Sequence, residues 1–227
     1  MTRCSSFSLV LYSLLLCGKM GHAASVSVYR SGLNDPTGWE KVGSKNIDGV
    51  GKVETHHKQV ADQDCLMGTA LTSANPEVML SVVADIPGGP KWSSWDLVES
   101  AVLSENPLHY YQVLNNPWPV SDRAWFLLGT ISRTDTEIRM DWEHFDAESL
   151  YSTEIGAVKE RHDDVVLTGV NVGAWVFQKH PSGQTQVLYL ICSDPGGSLP
   201  AKAAEFGART TLPVNVADLI RESVKRQ

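Results

Sequence analysis

Alternation of apolar and polar residues predicts that most of this chain is β-strand. Residues 50–60 and 65–72 each alternate, and the polar stretch 61–64 between them predicts an antiparallel pair. Turn residues separate the later strands at Asn106-Pro107, Asn115-Asn116-Pro117 and Pro181-Ser182-Gly183. The short, regular spacing is typical of an antiparallel sheet. Its further strands are predicted over residues 96–104, 108–114, 123–133, 136–145, 165–179 and 185–193.

Two segments follow a helical period instead. Asn75-Pro76 predicts the start of a short helix that ends near Asp85, because Asn caps a helix well and Pro suits its first turn. A longer helix is predicted to begin after Ser198 and to place Phe206 on its apolar side. We expect it to stop at Pro213 and resume over residues 216–221.

This order of elements predicts an α+β fold in which the last helix covers a curved antiparallel sheet. The sheet must bury its apolar face, and the C-terminal segment is the only long helix available for that purpose. A strongly curved sheet that grips one helix does not always fill the space between them. The predicted result is an elongated apolar cavity of the kind that holds small ligands.

The first 23 residues predict a secretory signal peptide. Arg3 is followed by an apolar run over residues 7–17 and by Gly21-His22-Ala23, which suits a signal peptidase. The run is shorter than the roughly 20 residues that a membrane-spanning helix needs. With no repeat, low-complexity tract or linker, residues 24–227 are predicted to form one domain that is exported and is periplasmic or secreted.

The cysteines leave two interpretations open. Cys4 and Cys17 belong to the predicted signal peptide, so Cys65 and Cys192 are the pair that reaches an oxidising compartment. They either form a disulfide or are two separate small residues in the core of the sheet.

Composition and motifs exclude several classes of function. The 227 residues are 42% hydrophobic and 20% charged, which is typical of a globular protein, and the net charge of -7 argues against binding to nucleic acid. His56 and His57 point to opposite faces of a strand, and no metal-binding spacing occurs. Nucleophile elbows and phosphate-binding loops are also lacking. We therefore expect no metal, no cofactor and no catalytic residues.

Four motifs resemble the START family, the lipid-transfer domains related to steroidogenic acute regulatory protein. They are Tyr-Tyr-Gln-Val at 110–113, Pro-Trp-Pro-Val-Ser-Asp-Arg at 117–123, Gly-Ala-Trp at 173–175 and Asp-Pro-Gly-Gly-Ser-Leu-Pro at 194–200. The resemblance runs from about Trp39 to the C-terminus. It implies a helix-grip fold with a hydrophobic tunnel, under the C-terminal helix, for one lipid or sterol-like molecule. The residues expected to contact that ligand are Tyr111, Gln112, Arg123, Trp125, Trp175 and Phe206.

The chain departs from the family pattern around its arginine. Family members commonly have Arg-Asp-aromatic after the proline turn, whereas this chain has Arg123-Ala124-Trp125. Many also have an acidic residue near the position of Gln112 that pairs with the arginine. A desolvated arginine needs an anionic or strongly polar partner, so we expect the ligand, Asp141 or Glu143 to supply it.

The predicted function is the binding of one lipid or other hydrophobic molecule, with transfer between membranes as the associated role. We expect a monomer that meets a membrane surface transiently and does not bind nucleic acid. Two alternatives use the same cavity: an enzyme of the cyclase or aromatase type, and a module that senses its ligand.

Overall fold

The computed structural model describes residues 24–197 and 201–227, without the side chains of residues 201–208. The predicted signal peptide, the capping Ser198 and the side chain of Phe206 lie outside the described residues. In the part that is described, a curved sheet of ten strands packs against five helices and one short 3-10 helix, so the prediction of an α+β helix-grip fold is confirmed.

The sheet has the strand order β1-β2-β3-β10-β9-β7-β6-β5-β4, with all of these neighbours antiparallel and β8 added parallel to β6. The bounds are β1 Glu40–Ile47, β2 Gly51–Val60, β3 Gln63–Thr72, β4 Leu97–Glu105, β5 Leu108–Leu114, β6 Arg123–Arg133, β7 Glu137–His144, β8 Val166–Leu167, β9 Val170–Lys179 and β10 Thr185–Asp194.

The structure differs from the predicted strands at two places. The sequence analysis missed β1, because nearly all of its residues are exposed and its side chains do not alternate between buried and exposed. The strand predicted over residues 165–179 divides into β8 and β9 at Thr168 and Gly169. The other predicted strands are confirmed to within a few residues.

The helices are α1 Val26–Asn34, α2 Pro76–Ala84, α3 Gly89–Trp92, α4 Ser152–Arg161 and α5 Ala201–Lys225, with the 3-10 helix at Ile86–Gly88. Helix α2 begins as predicted, since the side chain of Asn75 accepts a hydrogen bond from the backbone N–H of Glu77 at 2.8 Å. Helices α1 and α4 were not predicted. Each is short and buries only two apolar side chains, which is too few to establish a helical period.

Helix α5 is continuous through Pro213, so the predicted interruption is wrong. Proline removes one backbone hydrogen bond from a helix, which favours a break. Here the apolar side chains on both sides of it, Leu212 and Val216, are buried in the core beneath α5 and hold the helix in place. Asp218 further attaches α5 to the chain before β4, because it accepts a hydrogen bond from the N–H of Ser94 at 2.9 Å. No helix within the described residues is both long and apolar enough to cross a bilayer.

The convex face of the sheet is covered by α1 and α4. Tyr29 and Leu33 of α1 lie against β9 and β10, and Ile155 and Val158 of α4 lie in a separate cluster over β5 and β6. The concave face is left to α2, α3 and α5. The two faces therefore have separate cores, and α1 and α4 take no part in the space under α5.

Cys65 and Cys192 form a disulfide, which decides between the two interpretations left open by the sequence. They lie directly opposite one another on β3 and β10, with their Cα atoms 4.3 Å apart. Both are fully buried beneath α1. The bond joins β3 to β10, the strand that precedes α5 in the chain.

Glu99 joins α4 to the edge of the sheet. Its carboxylate accepts hydrogen bonds from the hydroxyl of Tyr111 and from Nη2 of Arg161, each at 2.5 Å. It also pairs with Nε2 of His162 at 2.8 Å. Burial alone would raise the pKa of Glu99, but the three partners outweigh burial and lower the pKa to about 2.

Substituting Glu99 with glutamine is expected to lower the free energy of unfolding at pH 7 by about 1–2 kcal/mol. Because the pKa of Glu99 is lower in the folded state than its ordinary 4.5, the carboxylate stabilises the fold above pH 4.5. That stabilisation is lost as the pH falls through about 2. Urea denaturation between pH 2 and 7 should therefore show the two proteins converging in acid. Glu105→Gln, an exposed residue on the same strand, is the control, and a constant difference across the pH range would contradict the prediction.

Candidate ligand-binding cavity

A cavity of about 800 Å³ lies between the concave face of the sheet and helices α2, α3 and α5. Residues on β5, β6, β7, β9 and β10 form its floor and walls, and Leu212 and Asn215 of α5 form part of its roof. The apolar cavity predicted from the sequence is therefore present in the structure. Its size falls within the range of about 300–1,000 Å³ that is typical of ligand sites.

The wall of the cavity is rich in aromatic rings. Trp95 stacks on Trp125 with ring centroids 5.8 Å apart, and Tyr189 contacts Trp175 at 4.3 Å and Trp142 at 5.8 Å. Two of the indole N–H groups already have partners in the protein. Trp125 donates to the side-chain oxygen of Gln112 at 3.1 Å, and Trp142 donates to Asn171 at 2.8 Å. These hydrogen bonds hold the rings as fixed apolar surfaces. The aromatic residues lining the cavity are Trp92, Trp95, Tyr110, Trp125, Trp142, Trp175 and Tyr189.

Four of the six residues expected to contact a ligand lie in the cavity wall: Gln112, Arg123, Trp125 and Trp175. The side chain of Phe206 lies outside the described residues. Tyr111 does not line the cavity, because it points to the convex face, where its ring stacks on Phe126 with centroids 5.4 Å apart. Tyr110 occupies the wall instead. Side chains alternate along a strand, so Gln112 and Tyr110 share a face, and this signal could have identified Tyr110 from the sequence.

The arrangement around Arg123 corrects another expectation. Its side chain is buried, with 5% exposed, and burial lowers its pKa. The guanidinium donates hydrogen bonds to the backbone carbonyls of Ser121, Pro195 (2.7 Å) and Gly196 (3.3 Å). The partners of Arg123 are therefore backbone carbonyls, whereas we expected the ligand, Asp141 or Glu143.

Asp141 and Glu143 are not partners of Arg123. Asp141 accepts hydrogen bonds from Arg139 at 2.8 Å, and Glu143 pairs with Arg30 of α1 at 2.5 Å. Arg30 belongs to the helix that covers the convex face, so Glu143 is on the opposite side of the sheet from the cavity.

Arg123 instead fastens the loop that leads into α5. Gly196 and Gly197 have φ angles of +62° and +69°, which side chains other than glycine rarely adopt. The turn formed by these two glycines lies next to Val166 of β8, and the carbonyl of Gly196 accepts a hydrogen bond from Arg123. The arginine therefore has a structural role at one end of the cavity, and it still contributes positive charge to the lining.

The loop between β5 and β6 borders the cavity at the same end, since Arg123 donates a hydrogen bond to the carbonyl of Ser121 in this loop. Asn116, Pro117 and Val120 of this loop line the cavity, whereas the side chain of Trp118 is 93% exposed. An isolated, fully exposed tryptophan is unusual, because this side chain is among the largest apolar groups in proteins.

Several polar atoms at the cavity wall have no hydrogen-bond partner among the described residues. They are Nε1 of Trp92, Oγ1 of Thr168 and Oδ1 of Asn215. These atoms are fully enclosed by neighbouring residues, and a polar group without a partner in a buried place is costly. Within the described part of the chain, no group of three or more potential metal ligands is close enough to hold a metal ion.

The curved sheet, the C-terminal helix and the cavity between them define a helix-grip fold, and the comparisons with known proteins agree. A STAR-related lipid transfer protein from Xanthomonas axonopodis superposes with a TM-score of 0.66 at 19% identity, covering 84% of this chain and 99% of that one. Human STARD10 superposes with a TM-score of 0.68 at 19% identity, covering 88% and 78%. The chain therefore has the fold of START domains.

Other matches include a more distant structure and a curated protein. An aromatase/cyclase from Streptomyces has a TM-score of 0.51 at 11% identity, covering 72% of this chain and 95% of its own. A curated protein of Pseudomonas aeruginosa, described as uncharacterized, is 25% identical over 188 residues, which cover 81% of this chain and 86% of that protein. No family model matches the sequence.

Proposed function

We propose that this protein binds one hydrophobic or amphipathic molecule in the cavity under α5 and transfers it between membranes. The observation that carries the proposal is the cavity itself, a space of about 800 Å³ walled by tryptophan, tyrosine and aliphatic side chains. Burial of hydrocarbon in such a space contributes about 0.8 kcal/mol for each methylene group. The STAR-related lipid transfer protein from Xanthomonas axonopodis, which has the same fold, supports the same function.

We also propose that the protein is exported. A buried disulfide is expected in proteins that fold in an oxidising compartment, and Cys65–Cys192 is such a bond. Together with the signal-peptide pattern of residues 1–23, it supports a mature domain of residues 24–227 in the periplasm or outside the cell.

We do not favour the enzymatic alternative. The described lining of the cavity contains no histidine or cysteine, and burial raises the pKa values of its two tyrosines, which makes them poor acids and bases near neutral pH.

Native mass spectrometry and a transfer assay test the proposal. Protein purified without detergent is expected to retain one apolar molecule per chain, visible as a mass increment that disappears on denaturation. The emptied protein is then expected to accelerate the movement of that molecule from donor to acceptor vesicles. Absence of any bound molecule, together with no transfer, would contradict the proposal. Binding without transfer would limit the function to holding or sensing the ligand.

Trp118 is proposed to insert into the membrane surface during transfer. Replacing it with alanine is expected to weaken binding to phosphatidylcholine vesicles about tenfold, since the indole ring favours the membrane interface by more than 1 kcal/mol. The fold should be unchanged, because this side chain is 93% exposed. Vesicle sedimentation measures the effect.

Leu150→Ala is the matched control for Trp118. Leu150 is also an exposed apolar residue, but it lies between β7 and α4, a segment that contributes nothing to the described lining of the cavity. Equal vesicle binding by the two variants would contradict a specific role of Trp118.

A further inference from the structure

Two tyrosine hydroxyls in the cavity wall have no hydrogen-bond partner among the described residues. Tyr110 is 3% exposed and Tyr189 is 8% exposed, and both line the cavity. Neither oxygen is among the fully enclosed polar atoms, so the small exposed part of each residue includes its hydroxyl. A phenol buried in this way normally has a partner, and here only the cavity can supply one.

The two hydroxyls come from different walls of the cavity. Tyr110 lies on β5 and Tyr189 on β10, four strands away in the sheet, and the curvature of the sheet turns both side chains toward the same enclosed space. Burial raises the pKa of Tyr110, and the nearby phenol of Tyr189 raises it further. Both phenols therefore remain protonated, and each can donate a hydrogen bond.

The surroundings of the phenols favour a ligand built from rings. Tyr189 is held against Trp175 and Trp142, and Trp95 and Trp125 form a second stacked pair. Flat aromatic surfaces pack most completely against other flat groups, in offset or edge-to-face contact.

The volume of the cavity suits such a ligand. A space of about 800 Å³ lies within the range of about 300–1,000 Å³ that is typical of sites for small molecules.

We infer that Tyr110 and Tyr189 form the polar anchor of the cavity and donate hydrogen bonds to an oxygen acceptor on a ring-containing apolar ligand. This inference rests on the proposed binding function and adds to it the chemistry of the ligand. It also moves the polar contact away from Arg123, whose guanidinium is bound to backbone carbonyls.

A pair of probes that differ only in the acceptor tests the inference. 1-Acetylpyrene and 1-ethylpyrene have nearly the same shape, but only the first has a carbonyl oxygen. Titration followed by quenching of tryptophan fluorescence gives the affinity of each. The wild-type protein is expected to prefer the ketone. Tyr110→Phe and Tyr189→Phe should each weaken ketone binding about 3–10-fold, the value of one hydrogen bond, and leave binding of the ethyl probe unchanged.

Tyr111→Phe is the matched control, because it removes a hydroxyl from the neighbouring position on β5 that is bonded to Glu99 on the convex face. It should change the affinity for neither probe. Equal wild-type affinities for the two probes, or equal losses for both probes in the Tyr110 and Tyr189 variants, would overturn the anchor while leaving the binding function intact. Failure of both probes to bind the wild-type protein would overturn the binding function as well.

Discussion

Replacing Gly173 with alanine is expected to lower the free energy of unfolding by about 3 kcal/mol, through overpacking at the centre of the sheet. Gly173 lies on β9, between β7 and β10. A Cβ atom at this position would overlap the backbone carbonyl oxygen of Leu190 and the ring of Trp142, whose Cε2 would lie 2.6 Å away. The carbonyl belongs to the adjacent strand and cannot turn aside. Trp142 forms part of the cavity wall, so the same substitution should also weaken ligand binding.

Gly43→Ala is the matched control for this substitution. Gly43 is also in a strand, but a Cβ atom there would meet nothing within 4 Å. Its change in stability should stay within about 0.5 kcal/mol, as for ordinary surface substitutions. Equilibrium denaturation in urea measures both variants. Equal stabilities of the two would show that the sheet has room at Gly173 and would contradict the prediction.

Reducing the disulfide between Cys65 and Cys192 is expected to lower the free energy of unfolding by about 4 kcal/mol. The bond closes a long loop, since the two cysteines are 127 positions apart in sequence, and such a loop loses much conformational freedom in the unfolded chain. Helix α1 packs directly over the disulfide, so reduction should also weaken the packing of α1 against the sheet. Guanidinium denaturation with and without dithiothreitol measures the difference at equilibrium.

The double variant Cys65→Ala/Cys192→Ala is the control for the reductant. Dithiothreitol should leave its stability unchanged, and the variant should resemble the reduced wild-type protein to within about 1 kcal/mol, the range expected for small changes of core packing. A wild-type protein whose denaturation is insensitive to dithiothreitol would contradict the contribution assigned to the bond.

The cavity depends on how the two faces of the sheet are covered. The convex face is closed by α1 and α4, each of which buries two side chains against the sheet. On the concave face α5 packs against β3, where Leu212 lies directly over Gly68, and the cavity remains over the neighbouring strands. The loop that carries Trp118 and the loop that leads into α5 lie side by side at one end of this space, because Arg123 donates hydrogen bonds to both. A wall of fixed aromatic rings around an apolar space is the feature that the proposed binding requires.

Much of the fold followed from local patterns in the sequence. Alternation identified most strands, and the Asn75-Pro76 pair identified the start of α2, because these signals arise between residues close together in the chain. The sheet edge β1 was missed, since an exposed strand has no buried face to produce alternation. The continuity of α5 through Pro213 was also missed, because contacts with the sheet outweigh the local effect of proline.

The residues of the candidate site were likewise predicted only in part from the sequence. The sequence analysis chose Gln112, Trp125 and Trp175 as ligand contacts, and the structure places all three in the cavity wall. It also chose Tyr111, which faces the other side because neighbouring side chains alternate along a strand. It did not indicate that Arg123 binds the carbonyls of Pro195 and Gly196, which are more than 70 positions away. Such partners become neighbours only when the sheet curves.

The amino-acid sequence alone determined the fold class, the order of the main elements and the availability of two cysteines, because composition and short-range periodicity depend on neighbouring residues. Tertiary structure decided that Cys65 faces Cys192, that Tyr110 rather than Tyr111 enters the cavity, and that a space of about 800 Å³ remains under α5. The physical reason is that curvature, strand register and the fit of one helix against the sheet are properties of the whole assembly. Each depends on contacts between segments that are far apart in the chain.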